Sequence, residues 1–261
     1  MSRFNIHRLG IGPMACALVL VGSLGLLGPA PALAWDWGFG SKVEGSGQVA
    51  KTPRPASGFK SLSIEVPAQV EIVQGSFEGV SIEADDNIAP LIETVVERDE
   101  LKLRLIKRST SLKPTLLKIT VNVRNLEKVA ISGYAKLTLD KLQTPSLELH
   151  VAGSGDVRLA ALATDALAIS ISGSGDVSAS GRADSVRASI SGSGDLKLAN
   201  LAAKAVKISI AGSGSAKVWA SQTLNVSVAG SGDVAYFGDA AVTQSVAGSG
   251  TVKRLGVAPG P

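Results

Sequence analysis

The sequence predicts an all-β fold, a single parallel β-solenoid with coils of about 18–20 residues, on three observations. A Gly-Ser-Gly corner recurs from Gly153, Gly173, Gly192, Gly212, Gly230 and Gly248, at intervals of 20, 19, 20, 18 and 18 residues, with a weaker copy at Gly133. Apolar residues alternate with polar ones on both sides of each corner: Leu147, Leu149 and Val151 precede Gly153, and Val157 and Leu159 follow it. That period of two means strands with one buried face each. A unit this short cannot bury its apolar face alone, so successive copies must stack.

The elements follow in chain order. Arg3 and Arg8 form a basic start, residues 11–27 are apolar, and Ala32-Leu33-Ala34 is a small-x-small cleavage site, so residues 1–34 read as a secretory signal peptide. Cys16, the single cysteine, lies within the apolar run without the residues that precede a lipidated cysteine. Cleavage before Trp35 leaves 227 residues with no cysteine, held by packing rather than cross-links. It also lowers the net charge from +4 to +2, which is no footprint for nucleic acid. No further apolar run reaches the roughly 18 residues that cross a bilayer.

Residues 35–58, with Trp35, Trp37, Phe39 and Gly45-Ser46-Gly47, read as a loosely packed leader, and residues 59–256 as the solenoid. Leu62, Ile64 and Val66, then Val70 and Ile72, give strand, corner and strand without glycine. Residues 87–92 read as a helical turn capped by Asp85-Asp86-Asn87, residues 95–105 as a hairpin around Asp99-Glu100, and residues 117–123 as a strand. These irregular segments are expected to be the opening coils and end cap.

In the regular part the corners are Gly153, Gly155 and Asp156; Gly173, Gly175 and Asp176; Gly192, Gly194 and Asp195; and Gly230, Gly232 and Asp233. Both glycines are expected at positive φ, with the aspartate closing a local Asx turn. Ser215 and Thr251 replace it in two copies. Two strands per coil are expected, joined by an alanine-rich second turn of variable length. Stacked at about 4.8 Å, six clear coils would rise roughly 29 Å, right-handed by the general crossover preference. Gln244, in an inward position, marks a last coil that frays or is capped by the tail at residues 257–261.

Gly45-Ser46-Gly47, Phe59-Lys60-Ser61-Leu62, Val70-Glu71-Ile72-Val73-Gln74-Gly75 and the serial Gly-Ser-Gly-Asp-Val corners together resemble the family called putative auto-transporter adhesin, head GIN domain, over about residues 45–255. The resemblance implies a β-solenoid exported through the general secretory route to the periplasm or surface of a bacterium. It supplies no catalytic residues.

The outward face carries the candidate site. Three residues before successive corners stand Ser170, Ser189, Ser209, Ser227 and Ser245, with His150 opening the series. They predict a flat polar face that docks a repetitive ligand, either a surface glycan or an envelope protein. The expected function is therefore a non-enzymatic envelope scaffold or adhesin-like binding module, with no catalytic, metal or cofactor residue assigned. Two alternatives stand beside it. A calcium-binding β-roll would use Asp156, Asp176, Asp195 and Asp233, yet each coil offers one carboxylate where calcium takes 6 to 8 oxygens. A carbohydrate-active β-helix enzyme needs paired carboxylates in an aromatic-lined cleft. Glu83, Asp85 and Asp86 would have to line that cleft, while Trp219, Tyr236 and Phe237 read as packing under an edge loop.

Overall fold

The computed structural model describes residues 42–257. The predicted signal peptide, the start of the predicted leader and the last four residues lie outside that range. No helix among the described residues is long and apolar enough to cross a membrane.

The described residues are mostly strand, with one 3-10 turn among them at Ala89–Leu91. The irregular part contains β1 (Lys42–Glu44), β2 (Val49–Arg54), β3 (Ser61–Ile64), β4 (Gln69–Gln74), β5 (Gly79–Asp85), β6 (Ile92–Glu97), β7 (Glu100–Leu105), β8 (Ser111–Lys113) and β9 (Leu117–Val123). The regular part runs through β10 (Lys128–Gly133), β11 (Lys136–Gln143), β12 (Ser146–Gly153), β13 (Asp156–Gly173), β14 (Asp176–Gly192), β15 (Asp195–Gly212), β16 (Ser215–Gly230), β17 (Asp233–Phe237), β18 (Ala241–Gly248) and β19 (Thr251–Gly256).

From β10 onward the stacking is the expected one. Val151, Ile171, Ile190, Ile210 and Val228 pair in parallel register, coil on coil, and all are buried. Burying each such side chain is worth about 1.5 to 3 kcal/mol before entropy is counted. The coil has three faces, where the sequence predicted two. In β13 the inward-outward alternation slips at Ala160-Ala161 and again at Asp165-Ala166, and Leu162 and Thr164 between them point inward. The sequence reading places Thr164 in the variable second turn, with Ala163, Asp165 and Ala166. The middle face is short, and some of its inward residues, Ala183 and Ala203, are small while Leu201 is also buried there, so it has a weak hydrophobic signature.

The first half departs from sequence order. β3 and β4 form a coil that pairs in parallel with β10 and β11 on one side and with β7 and β9 on the other. Residues 79–123 therefore close the solenoid beneath its first coil rather than lengthening it. Their outer edges are antiparallel, with β6 on β7, β5 on β9 and β2 on β5. Two positive-φ residues, Arg98 and Asp99, turn the β6–β7 hairpin, one residue earlier than the sequence suggested. A two-residue turn with both φ values positive matches strand twist, and aspartate tolerates that conformation.

The segment from Lys42 to Arg54 is not loose. β1 pairs with β8 and β2 with β5, and Asp85 explains why. This fully buried carboxylate accepts hydrogen bonds from the Gly47 amide at 2.9 Å and the Thr115 amide at 2.8 Å. The Asn87 side chain donates to the Glu44 carbonyl at 2.8 Å, and the Ser46 hydroxyl bonds Asp86. Asp85-Asp86-Asn87 thus clasps Gly45-Ser46-Gly47. It does not cap the 3-10 turn, whose N-cap is Ile88 with no side-chain cap.

At the other end β18 and β19 are the last strands among the described residues. The inner column of β18, with Val242, Gln244 and Val246, is exposed, so the Gln244 amide is not buried.

Candidate functional site

The predicted serines fall into one column. Parallel register places Ser170 beside Ser189, Ser189 beside Ser209, Ser209 beside Ser227 and Ser227 beside Ser245, and His150 continues the column below. Ser170 is half-buried and the other four are exposed. Neighbouring hydroxyls repeat at the strand spacing of about 4.8 Å.

The column beside it, two residues earlier in each coil, runs Glu148, Ala168, Arg187, Lys207, Asn225 and Thr243. The short Ala168 leaves a notch of about 280 Å³ between Glu148 and His150 on one side and Arg187 and Lys207 on the other. Glu148 is engaged, 3.0 Å from His150 Nε2 and 3.8 Å from Lys128 Nζ. Arg187 and Lys207 form no ion pair among the described residues. They are functional candidates that the sequence reading missed. The signal was their place in the repeat, two residues ahead of Ser189 and Ser209.

The corners are structural, but their two glycines work differently. The first has φ between +120° and +132° in the six regular copies, where an L side chain is strained. The second, Gly155, Gly175, Gly194 or Gly232, is not at positive φ. It is needed for close approach: a Cβ on Gly175 would lie 2.7 Å from the Gly155 oxygen and 2.6 Å from Val151 Cγ1. The corner amides bridge coils, with Ser174 N donating to Gly153 O at 2.9 Å and Asp176 N to Gly155 O at 3.1 Å.

Three of the corner aspartates, Asp176, Asp195 and Asp233, reach between coils instead of closing local turns. Asp195 accepts from the Ser215 hydroxyl at 2.6 Å, and Asp233 from the Thr251 amide at 3.0 Å and hydroxyl at 2.6 Å. Asp176 accepts from Asp195 N at 3.2 Å and lies 2.8 Å from Lys197 Nζ, which its hydrogen bond holds above the ordinary lysine value. Ser215 and Thr251 replace aspartate because each donates to the carboxylate one coil below. Among the described residues no group of three or more His, Cys, Asp and Glu is placed to hold a metal ion. Dialysis against chelator is expected to leave the thermal unfolding midpoint unchanged, and a fall reversed by calcium would overturn this account of the aspartates.

Of the acids weighed for catalysis, Asp85 and Asp86 are engaged in the clasp, Asp85 fully buried. Trp219 does not simply pack under an edge loop. It is half-buried and walls a groove of about 940 Å³ on the middle face.

Comparison with known proteins agrees with this architecture. No curated protein matches the chain. Among solved structures, a putative lipid binding protein from Parabacteroides distasonis is 26% identical, with TM-score 0.71, over 82% of this chain and 100% of that one. Putative adhesins from Bacteroides fragilis, 24% identical with TM-score 0.76 over 82% and 100%, and from Parabacteroides merdae, 23% identical with TM-score 0.67 over 82% and 99%, share the fold. A family model described as putative auto-transporter adhesin, head GIN domain, matches residues 58–240, well over half the chain. With the stacked coils and glycine corners behind that match, the chain belongs to the putative auto-transporter adhesin, head GIN domain family.

Proposed function

We propose that the protein is an exported, non-enzymatic binding module of the bacterial cell envelope whose serine-column face docks a hydroxyl-rich surface polymer such as a glycan. Membership of an adhesin-head family supports the binding role. The single observation that carries the finer reading is the unbroken register of Ser170, Ser189, Ser209, Ser227 and Ser245. A row of identical hydroxyls presents the same donors and acceptors at each step, so a polymer can bind in several registers. Arg187 and Lys207 border the row and add charge-assisted donors.

The test is binding of the purified protein to arrayed bacterial and host glycans and to peptidoglycan. Ser189→Arg with Ser209→Arg fills the row with long side chains and is expected to weaken binding at least tenfold without altering the melting curve. Undiminished binding by this variant would remove the serine face. Lipid vesicles form the comparison arm, because the relative from Parabacteroides distasonis is named as a putative lipid binding protein. Binding to vesicles and to no glycan would overturn the glycan reading.

A further inference from the structure

We infer that the middle face carries a second, separate binding site, a groove for an acidic oligosaccharide in which Trp219 is the stacking platform and Arg182 the carboxylate clamp. Parallel register sets Gln143, Ala163, Arg182, Ala202 and Trp219 in one column along the solenoid axis. Four strand spacings separate its ends, roughly 19 Å, enough for a short oligosaccharide lying along the axis.

The groove follows from a change in coil length. The corner interval falls from 20 residues between Gly192 and Gly212 to 18 between Gly212 and Gly230. The missing residues come out of the middle face, where pairing jumps from Leu198 to Ala202 and brings Trp219 beside Ala202. Below it the lining is small, with Ala161, Gly181 and Ala202, so a large aromatic stands at the end of a shallow floor of about 940 Å³.

The polar lining selects the ligand. Lys141 and Arg182 border the groove, Asn200 and Gln143 add amides, and no carboxylate lines it. Lys141 and Arg182 form no ion pair among the described residues; the neighbouring Asp184 is taken by Lys204 at 2.7 Å. Two cations that form no ion pair among the described residues favour an anion in this groove, although Arg182 also borders a neighbouring concavity with Asp165 and Asp184, and the planar guanidinium matches a carboxylate with two parallel hydrogen bonds. An aromatic wall with a few convergent polar groups in a concavity is the usual composition of a small-ligand site. A sugar acid offers both an apolar ring face for Trp219 and a carboxylate for Arg182.

The groove and the serine column lie on different faces of the coil, so the two readings can fail independently. Isothermal titration of the full chain with trigalacturonate and sialyllactose, and with galactotriose and lactose as neutral counterparts, tests the groove. At least one acidic sugar should bind ten or more times tighter than its neutral counterpart, and weaken as salt is raised. Arg182→Gln, at an exposed position, and Trp219→Ala should each cost tenfold or more, while Ser189→Arg with Ser209→Arg leaves binding unchanged. The proposal is overturned if neither acid saturates, if neutral sugars bind equally well, or if Arg182→Gln binds like the wild type. Loss in the serine variant alone would assign the ligand to the other face.

Discussion

Gly173→Ala is expected to destabilise the protein by on the order of 3 to 5 kcal/mol, a large share of the roughly 5 to 15 kcal/mol that holds a domain folded. Two costs combine at this residue. Its φ of +123° is strained for any residue with a Cβ. An added Cβ would also lie 2.5 Å from the Gly153 carbonyl oxygen, a backbone atom that can move only by opening the stack. Two other glycines separate these costs. Gly133 has φ of +92° and nothing within 4 Å of a built Cβ, so Gly133→Ala should cost about 1 to 2 kcal/mol, for conformation alone. Gly214 is not at positive φ, but its Cβ would meet Gly194 O at 2.6 Å and Ile190 Cγ2 at 2.8 Å, so Gly214→Ala carries the steric cost. Chemical denaturation of the three variants gives the order Gly173 worst and Gly133 mildest. Equal losses at Gly133 and Gly173 would mean that φ explains everything and close stacking nothing.

Asp85→Ala is expected to lower the thermal midpoint by on the order of 10 °C. The variant removes the buried carboxylate that accepts from the Gly47 and Thr115 amides in two part-buried hydrogen bonds, and so unties the Lys42–Arg54 segment from the cap. Burial by itself would raise the Asp85 carboxyl, but the donors from Thr115 and Gly47 outweigh it and hold the group below its ordinary value of 3.8. A depressed folded-state pKa contributes stability in full above the unfolded value and loses it as pH falls through the folded one. Wild-type stability should therefore drop below about pH 4, and Asp85→Asn should be less stable at pH 7 with a shallower acid loss. Parallel acid melts check this. Identical slopes in the two proteins would show that other carboxylates control the acid transition.

The regular coils were legible in the sequence because their signals are local and repeated. A glycine every 18 to 20 residues and a period of two around it fix register, and register alone aligns Ser170 with Ser189 and Ser209. The middle face was hidden because it is short and several of its inward residues, Ala183 and Ala203, are too small to stand out from a turn. The cap was hidden for another reason. Nothing near Leu62 or Val70 announces that β7 and β9 will pair below them while β10 and β11 pair above. The role of Asp85 likewise depends on Gly47 and Thr115, 38 and 30 residues away. Trp219 was visible as an aromatic, but the groove beside it exists only through the register jump between Leu198 and Ala202.

The asymmetry between the two ends bears on how such a chain changes length over generations. At one end residues 79–123 seal the stack with antiparallel edges, and at the other the inner column of β18 is exposed among the described residues. Any unit between Gly153 and Gly230 that is duplicated in tandem brings its own corner glycines to seat on those below, its own aliphatic rungs, and one more serine for the row. The sealed end is a fixed foundation, and repeat number is the variable that evolution can adjust without redesigning it. Each added coil would lengthen the serine row by one rung.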